Sequence, residues 1–337
     1  MVQDQNAHKR RAQLAQDPVI SVVVPMHNEQ DGLARLFDVL GAALTDTGQS
    51  YEIICVNDGS RDQTLLGLMG YAARDARIKI INLSRNFGKE AALTAGLDAA
   101  QGQAIIPLDA DLQEPPELIG KMVVLWQEGY DVVLAKRIDR ASDSWFKRVS
   151  AGLFYRLLKL LSDVEIPENV GDFRLMDRQV NAALRRLPER TRFMKGLFAW
   201  LGFTQTTIEF TRPARQEGEA KQGLRKLLNL ATDGLVSFSG TPLRFWGYLG
   251  FATAGLAFVY GVVIVLQTLF YGVDVPGFAT LTTVLLFFNG LIMINLGLLG
   301  EYVTRIFTEV KQRPLYLVRD RINFDNTDDD DHAPPVD

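Results

Sequence analysis

Two long segments near the end of this 337-residue chain carry no charged side chain, and they constrain its fold more than any other feature. The first covers residues 245–273 and the second covers residues 275–300. About 20 consecutive apolar residues suffice for a helix to cross a bilayer. Two such runs joined by one short turn are rare in soluble domains. The pattern therefore predicts two transmembrane helices rather than a pair of buried core helices.

Basic residues around these two segments predict their orientation. The connecting turn holds Asp274 but no Lys or Arg, whereas Arg244 precedes the first segment. Several basic residues follow the second segment: Arg305, Lys311, Arg313, Arg319 and Arg321. Because Lys and Arg are enriched on the cytoplasmic side of membrane helices, we expect both flanks in the cytoplasm and the short turn outside.

Residues 19–211 have a different pattern, in which short β-rich runs alternate with helical runs. Strands are predicted at 19–24, 51–56, 78–83 and 104–108, and Pro25 is expected to end the first strand. The helices between them include one whose apolar residues recur at helical spacing: Leu33, Leu36, Phe37, Leu40 and Leu44. Such alternation predicts an α/β domain with a parallel sheet, whose ligands bind beyond the carboxyl ends of the strands.

Composition argues against several other classes. A net charge of -4 is not the basic excess of a nucleic-acid binder, so no nucleic-acid partner is expected. The basic residues near the N-terminus have no apolar run behind them, so we expect no signal peptide. Cys55 is the single cysteine, which excludes a disulfide within the chain. The three histidines are scattered, which argues against a histidine metal site.

The most informative polar residues follow the fourth predicted strand. Asp109 and Asp111 lie two positions apart, and residues two apart in an extended segment point the same way. Two converging carboxylates suit a hard divalent cation, Mg²⁺ or Mn²⁺, that bridges phosphate oxygens. An Asp-x-Asp pair alone is weak evidence, because a solvated acidic turn has the same sequence.

Polar clusters also follow the first three strands, at residues 25–29, 57–62 and 86–89. Turn chemistry alone favours Asn, Asp, Gly and Ser, so each cluster by itself indicates little. Four clusters at four successive strand ends are harder to explain by turns. Within them, a buried acid such as Asp58 is positioned to accept hydrogen bonds from a base or ribose.

Seven motifs together make the chain recognisable: VVVPMHNE, VNDGSRDQT, NFGKEAALTAG, DADLQEPPE, GDFRLMDR, LATDGLVSFSGTPLR and GLLGEYVTRIF. With them the chain resembles the family 2 glycosyltransferases, and more narrowly the polyprenyl-phosphate glycosyltransferases such as bactoprenol glucosyltransferases and dolichol-phosphate mannose synthase. The resemblance covers about residues 19–321. It implies a GT-A (Rossmann-like) nucleotide-sugar domain with a mostly parallel sheet, followed by two transmembrane helices.

The resemblance also implies roles by position. The donor, a UDP-sugar, would be held by Pro25, Asn28, Glu29, Asp58 and Lys89. The metal and the donor diphosphate would be framed by Asp109, Asp111 and Gln113. Asp109, Asp111 and Asp172 would be the catalytic residues. The acceptor phosphate would be faced by Arg137, Arg148, Ser150, Arg174 and Lys221. Asp172 and Arg174 would also line the reacting sugar.

One departure from the family pattern concerns the loop at residues 218–222, which reads GEAKQ where relatives usually have Gly-x-Ser/Thr-Lys-Tyr. Lys221 is retained, but a hydroxyl and an aromatic ring are missing, which leaves the role of this loop open. Residues 223–238 form an amphipathic pattern with Arg225 and Lys226. It fits a helix in the membrane interface or one packed on the domain.

These expectations combine into one organisation: a polar tail (1–18), a cytoplasmic catalytic domain (19–221), a juxtamembrane helix (222–243), two transmembrane helices (244–304) and a C-terminal segment with an acidic tail (305–337). We expect a metal-dependent, inverting enzyme of the bacterial inner membrane. It moves one sugar, glucose before mannose, GlcNAc or formamido-aminoarabinose, from a UDP-sugar onto a polyprenyl-phosphate lipid. Relatives also suggest a homo-oligomer.

Three other functions fit less well. A Rossmann dehydrogenase needs Gly-x-Gly-x-x-Gly after the first strand, where this chain has Pro25 to Glu29. A processive polysaccharide synthase usually carries Gln-x-x-Arg-Trp and more spans, and this chain has Arg-Phe-Trp at 244–246. A non-enzymatic membrane adaptor explains the spans but not the four polar strand ends.

Overall fold

The computed structural model describes residues 18–138, 170–187, 189–190 and 194–210, and residues 250–324 except 251, 254, 257, 264–265, 267–268 and 271–276. The chain divides into two compact units. The first contains the described residues up to 138, those from 170 to 210, and those from 314 to 324. The second contains the described residues between 250 and 313.

The first unit is an α/β domain built on a mixed sheet. Its strands are β1 (Ile20–Met26), β2 (Tyr51–Asn57), β3 (Ile78–Leu83), β4 (Ala104–Pro107), β5 (Val132–Arg137), β6 (Val170–Asp177), β7 (Gln205–Phe210) and β8 (Val318–Ile322). Its helices are α1 (Leu33–Asp46), α2 (Thr64–Ala72), α3 (Lys89–Ala99), α4 (Leu118–Gln127), α5 (Arg178–Arg185) and α6 (Met194–Trp200).

The strand order in the sheet is β7-β5-β6-β4-β1-β2-β3-β8. Strands β1, β2, β3 and β4 pair in parallel, as do β5 and β7. Strands β6 and β8 pair antiparallel with their neighbours. Every residue of β2 is buried, as expected for a parallel strand covered on both faces. The predicted α/β fold with a mostly parallel sheet is therefore confirmed.

Helix α1 shows why the local pattern was informative. The five apolar residues at helical spacing all lie within α1 and are all buried in the core.

Cys55 is also fully buried, and burial raises the pKa of its thiol to about 12. Its surroundings are those of a small core residue.

The prediction that Pro25 ends the first strand was wrong, because β1 continues to Met26. Pro25 has no N–H, so it cannot donate to a neighbouring strand. The bonds Leu108 N–H to Val23 O and Asp58 N–H to Met26 O, both 2.9 Å, show that odd-numbered residues here face β4 and even-numbered ones face β2. Pairing with β4 stops at Val23. Pro25 faces the β4 side beyond that point, so the N–H that it lacks would have no partner on β4.

Helix α7 (Phe278–Val310) belongs to the second unit. Its 33 residues make it about 50 Å long, longer than the hydrocarbon core of a bilayer. Within the described residues, the segment Phe287–Val310 is the one helix long and apolar enough to cross a membrane, and none of its apolar window is buried. The first predicted span, 245–273, lies partly outside the described residues, so two spans stay a prediction.

Candidate donor site at the carboxyl ends of the strands

Polar residues from each of the loops that follow β1, β2, β3 and β4 line a cavity of about 340 Å³ at the carboxyl edge of the sheet. Parallel strands end at the same edge, so these four loops meet there although they are far apart in sequence. The cavity is lined by Pro25, Met26, His27, Glu29, Asp58, Asn86, Gly88, Lys89, Ala92, Asp109, Ala110 and Asp111. The predicted convergence of the four polar clusters is therefore seen in the structure.

Asp58 organises the loop between β3 and α3. It is 3% exposed, and its two carboxylate oxygens accept hydrogen bonds from the N–H groups of Phe87 (2.7 Å) and Gly88 (2.9 Å). Because Gly88 caps the N-terminus of α3, the carboxylate also lies near the positive end of that helix dipole. A carboxylate has about four acceptor sites, so these two bonds do not exhaust the capacity of Asp58, which lines the cavity.

Asn28 ties the loop after β1 to the loop after β2. It adopts a left-handed backbone conformation with φ of 58°, which Asn tolerates better than most residues. Its side-chain oxygen accepts a hydrogen bond from the N–H of Arg61 (2.8 Å), and its own N–H donates to Ser60 Oγ (3.0 Å). Asn28 lines a neighbouring cavity together with Ser60 and Arg61, so its contact with the donor stays a prediction.

Gly59 lies where two loops approach so closely that no side chain fits. Its φ is +59°, and a Cβ added there would lie 2.5 Å from the carbonyl carbon of Arg85 and closer still to the N–H nitrogen of Asn86. Gly48 has a similar φ of +66° but open space around its Cβ position. Comparing substitutions at the two glycines therefore distinguishes the cost of backbone strain from the cost of a steric clash.

We expect Gly59→Ala to lower the free energy of unfolding by about 2 kcal/mol or more, because strain and a backbone clash add. Gly48→Ala, which adds strain only, should cost about 1 kcal/mol. Urea unfolding of both variants measures the difference. Equal losses would mean that the close approach to Arg85 and Asn86 contributes nothing.

Three acids gather after β4. Asp109, Asp111 and Glu114 each offer a carboxylate oxygen, and these oxygens lie within 4.8 Å of one another. Gln113, predicted as the third member, contributes a backbone N–H that donates to Asp111 (3.1 Å). Sequence reasoning did not single out Glu114, although it lies in the same polar run only three residues after Asp111.

Glu29 extends this acidic region towards β1. Its N–H donates to Thr64 Oγ1 (2.8 Å), which fixes the start of the loop. Burial raises the pKa of the Glu29 carboxyl above its ordinary value, and the negative charges of Asp111 and Asp62 add to the effect. The site therefore concentrates negative charge that a cation would neutralise.

Lys89 supplies one positive charge from the chain itself. Its Nζ lies 2.7 Å from an oxygen of Asp109 and 2.8 Å from an oxygen of Asp172, which is on β6. Partial burial acts to lower the pKa of Lys89, but the charges of Asp172 and Asp109 outweigh it and the pKa is raised. Partial burial also raises the pKa of Asp109, and Lys89 opposes that effect.

Arg174 lies inside the domain, although it was predicted to face the acceptor phosphate. It is 4% exposed, and its guanidinium lies 3.9 Å from the ring centroid of Phe198. Burial lowers the pKa of Arg174 to about 10, while the charges of Asp172 and Glu90 act to raise it. The group is therefore still protonated at neutral pH. Contact with an acceptor phosphate stays a prediction.

The remaining predicted acceptor residues are only partly covered. Arg137 is the last residue of β5 and is half-buried at the edge of the described chain. Arg148, Ser150 and Lys221 lie outside the described residues, as does the juxtamembrane segment 222–243. The predicted acceptor side of the site therefore rests on sequence alone.

Comparison with known proteins gave matches along most of the chain. The family model described as Glycosyl transferase family 2 matches residues 21–185, and the one described as GtrB C-terminal hairpin matches residues 241–306. An uncharacterized glycosyltransferase of Synechocystis sp. is 52% identical over 301 residues, which are 89% of this chain and 95% of the relative.

Two further relatives carry more specific names. A prophage bactoprenol glucosyl transferase homolog of Escherichia coli is 43% identical over 300 residues, covering 89% of this chain and 98% of the relative. The bactoprenol glucosyl transferase of Shigella phage SfV shows the same identity and the same coverage.

Proposed function

The chain belongs to glycosyl transferase family 2, and from that premise we propose that it transfers one glucose from UDP-glucose to a polyprenyl phosphate carrier. One observation carries the proposal: relatives named bactoprenol glucosyl transferases are 43% identical over 89% of this chain. That similarity extends beyond the catalytic domain, because the GtrB C-terminal hairpin also matches.

The donor cavity supports a nucleotide-sugar substrate. Asp58, Glu29 and Asn86 offer oxygen and amide groups suited to hydrogen bonds with a base and ribose. The three carboxylates of Asp109, Asp111 and Glu114 form an all-oxygen donor set, which fits Mg²⁺ or Mn²⁺. When bound, such a cation would offset the negative charge of the diphosphate leaving group.

The acceptor requires little activation from the protein. A phosphate monoester has a second pKa of about 6, so it is largely a dianion at neutral pH and is already a nucleophile. The main obstacle is repulsion from the donor diphosphate, which amounts to about 4 kcal/mol for two unit charges about 4 Å apart at an effective dielectric constant of about 20. We propose Arg137, Arg148 and Lys221 as the cations that offset it.

We further propose two membrane helices, at 245–273 and within α7, with both flanks in the cytoplasm. The absence of Lys and Arg from the turn around Asp274 supports this orientation. It gives the catalytic domain access to cytoplasmic UDP-glucose. It also keeps the phosphate of the lipid carrier at the same face of the membrane.

Cysteine labelling of intact cells tests this topology. A membrane-impermeant thiol reagent should label a cysteine placed at Asp274 but not one placed at Asn323. The natural Cys55 is fully buried, so it should add little background. Labelling of Asn323→Cys after permeabilisation serves as the control. Labelling at Asn323 but not at Asp274 in intact cells would contradict the orientation.

A donor screen tests the choice of sugar. With polyprenyl phosphate as acceptor, we expect UDP-glucose to be used at least about 10-fold more efficiently than UDP-GlcNAc, GDP-mannose or a UDP-linked formamido-aminoarabinose, which corresponds to about 1.4 kcal/mol. Preference for another donor would retain the reaction class but replace the sugar. Failure with all donors would oppose the proposal as a whole.

A further inference from the structure

Strand β6 leaves its regular pairing with β5 just before Arg174. Leu134 pairs with Arg174, but two residues further along β5, Lys136 pairs with Val170. Four steps along β6 therefore face two steps along β5, so β6 holds two extra residues within 171–173. A bulge of this kind turns side chains away from their regular direction and is common beside active sites.

Arg174 binds the backbone of this bulge. Its guanidinium donates hydrogen bonds to the carbonyl oxygens of Gly171 (2.8 Å) and Asp172 (3.3 Å). The ring of Phe198 on α6 lies against the guanidinium group. The planar guanidinium is well suited to binding two neighbouring carbonyl groups while stacked on a ring.

Asp172 lies within the bulge, and its carboxylate points to the donor site. It accepts a hydrogen bond from Lys89 Nζ at 2.8 Å, and the same ammonium contacts Asp109. The side chain of Asp172 is 18% exposed, so its position depends on the backbone that carries it. Lys89 thus links the carboxylates of Asp172 and Asp109, while Arg174 holds the backbone that carries Asp172.

We propose that Arg174 is a positioning residue: it fixes the bulge that brings Asp172 to Lys89 and so sets the geometry of the acids at the donor cavity. This inference rests on the proposed function, because the family resemblance implies that Asp172 is a catalytic residue of that reaction. It differs from the roles expected from sequence, in which Arg174 faces the acceptor phosphate and lines the reacting sugar.

A double-mutant cycle distinguishes the two roles. Arg174→Met should lower kcat by about 30-fold or more, with the KM for polyprenyl phosphate and the affinity for UDP changed by less than about threefold. Asp172→Asn should show a comparable loss. Because Arg174 acts through Asp172, the double variant should be no more than about twofold worse than Asp172→Asn.

A direct role at the acceptor predicts a different result. The KM for polyprenyl phosphate would rise, and the losses of the two variants would multiply; either finding overturns the proposal, as does an unchanged kcat. Arg185→Met, a control on α5 that removes an exposed arginine, should have wild-type activity. If Arg174→Met does not fold, Arg174→Lys answers the same question, because it keeps the charge but not the bidentate geometry.

Crystal structures provide a readout that does not depend on which sugar is transferred. In wild-type protein Lys89 Nζ should lie within hydrogen-bond distance of Asp172, and in Arg174→Met this contact should open beyond about 4 Å. An unchanged contact would overturn the positioning role. If the wild type transfers no glucose, the proposed function fails, while these structures still decide the role of Arg174.

Discussion

Replacing Asp111 with Asn is expected to reduce glucosyl transfer by about 100-fold or more while the protein still folds. Asp111, Asp109 and Glu114 converge on one point, and the substitution replaces a charged oxygen ligand of that set with a neutral amide. The donor diphosphate would then lose part of the positive charge that a bound divalent cation would supply. The effect should appear mainly in turnover, because the leaving group carries most charge in the transition state.

The matched control for this experiment is Asp38→Asn, an exposed acid on α1 that does not line the cavity. Its activity should equal that of the wild type. Excess EDTA should abolish wild-type activity, and added Mg²⁺ or Mn²⁺ should restore it. Full turnover in EDTA, or in Asp111→Asn, would contradict the assignment of a metal to these carboxylates.

Replacing Lys89 with Met is expected to have the second large effect, again a loss of about 100-fold in turnover. Lys89 is the shared counterion of Asp109, in the loop after β4, and Asp172, on β6. Without the ammonium, the two carboxylates repel each other and move apart. The acids that surround the donor then lose the arrangement seen in the structure.

Steady-state kinetics with UDP-glucose and thermal unfolding together test this prediction. Lys121→Met removes an exposed lysine on α4 and should leave both unchanged. Lys89→Arg should be more active than Lys89→Met, since it keeps the positive charge on a side chain of different length and shape. Turnover of Lys89→Met within about twofold of wild type would show that the ion pairs are incidental.

The sequence predicted the central part of the fold well, because that part is encoded by local periodicity. Strands β1 to β4 and the helices between them follow from alternating β-rich and helical runs. Their parallel pairing then brings residues of the four polar clusters together, which is why Asp58, Lys89 and Asp109 line one cavity, as the positions of the strand ends predicted.

The outer strands could not be predicted in this way, because their pairing is set by contacts between distant residues. Strand β8 adds to the sheet beside β3, where Asn82 donates to Asp320 at 2.8 Å across 238 residues of sequence. Nothing in the local pattern of either segment specifies that partner. The same reason applies to β6, whose place between β4 and β5 reverses the local strand direction.

The directions of individual side chains also could not be predicted from the sequence. Arg174 was expected at the acceptor phosphate and the reacting sugar because of its position in the family pattern. A two-residue bulge and the ring of Phe198 place it in the interior. Glu114 was overlooked because its role depends on how the loop after β4 folds back towards Asp109. Both features arise from tertiary packing, which spacing alone does not encode.

The most direct test of the central proposal is glucosyl transfer by the purified full-length protein. The protein would be incubated in detergent with radiolabelled UDP-glucose, undecaprenyl phosphate and Mg²⁺ or Mn²⁺, and the lipid would be extracted and analysed by mass spectrometry. We predict a lipid that carries one glucose on its phosphate, formed with one UDP released for each glucose transferred. Release of UDP with free glucose only, or no labelled lipid with an intact donor, would contradict the proposal.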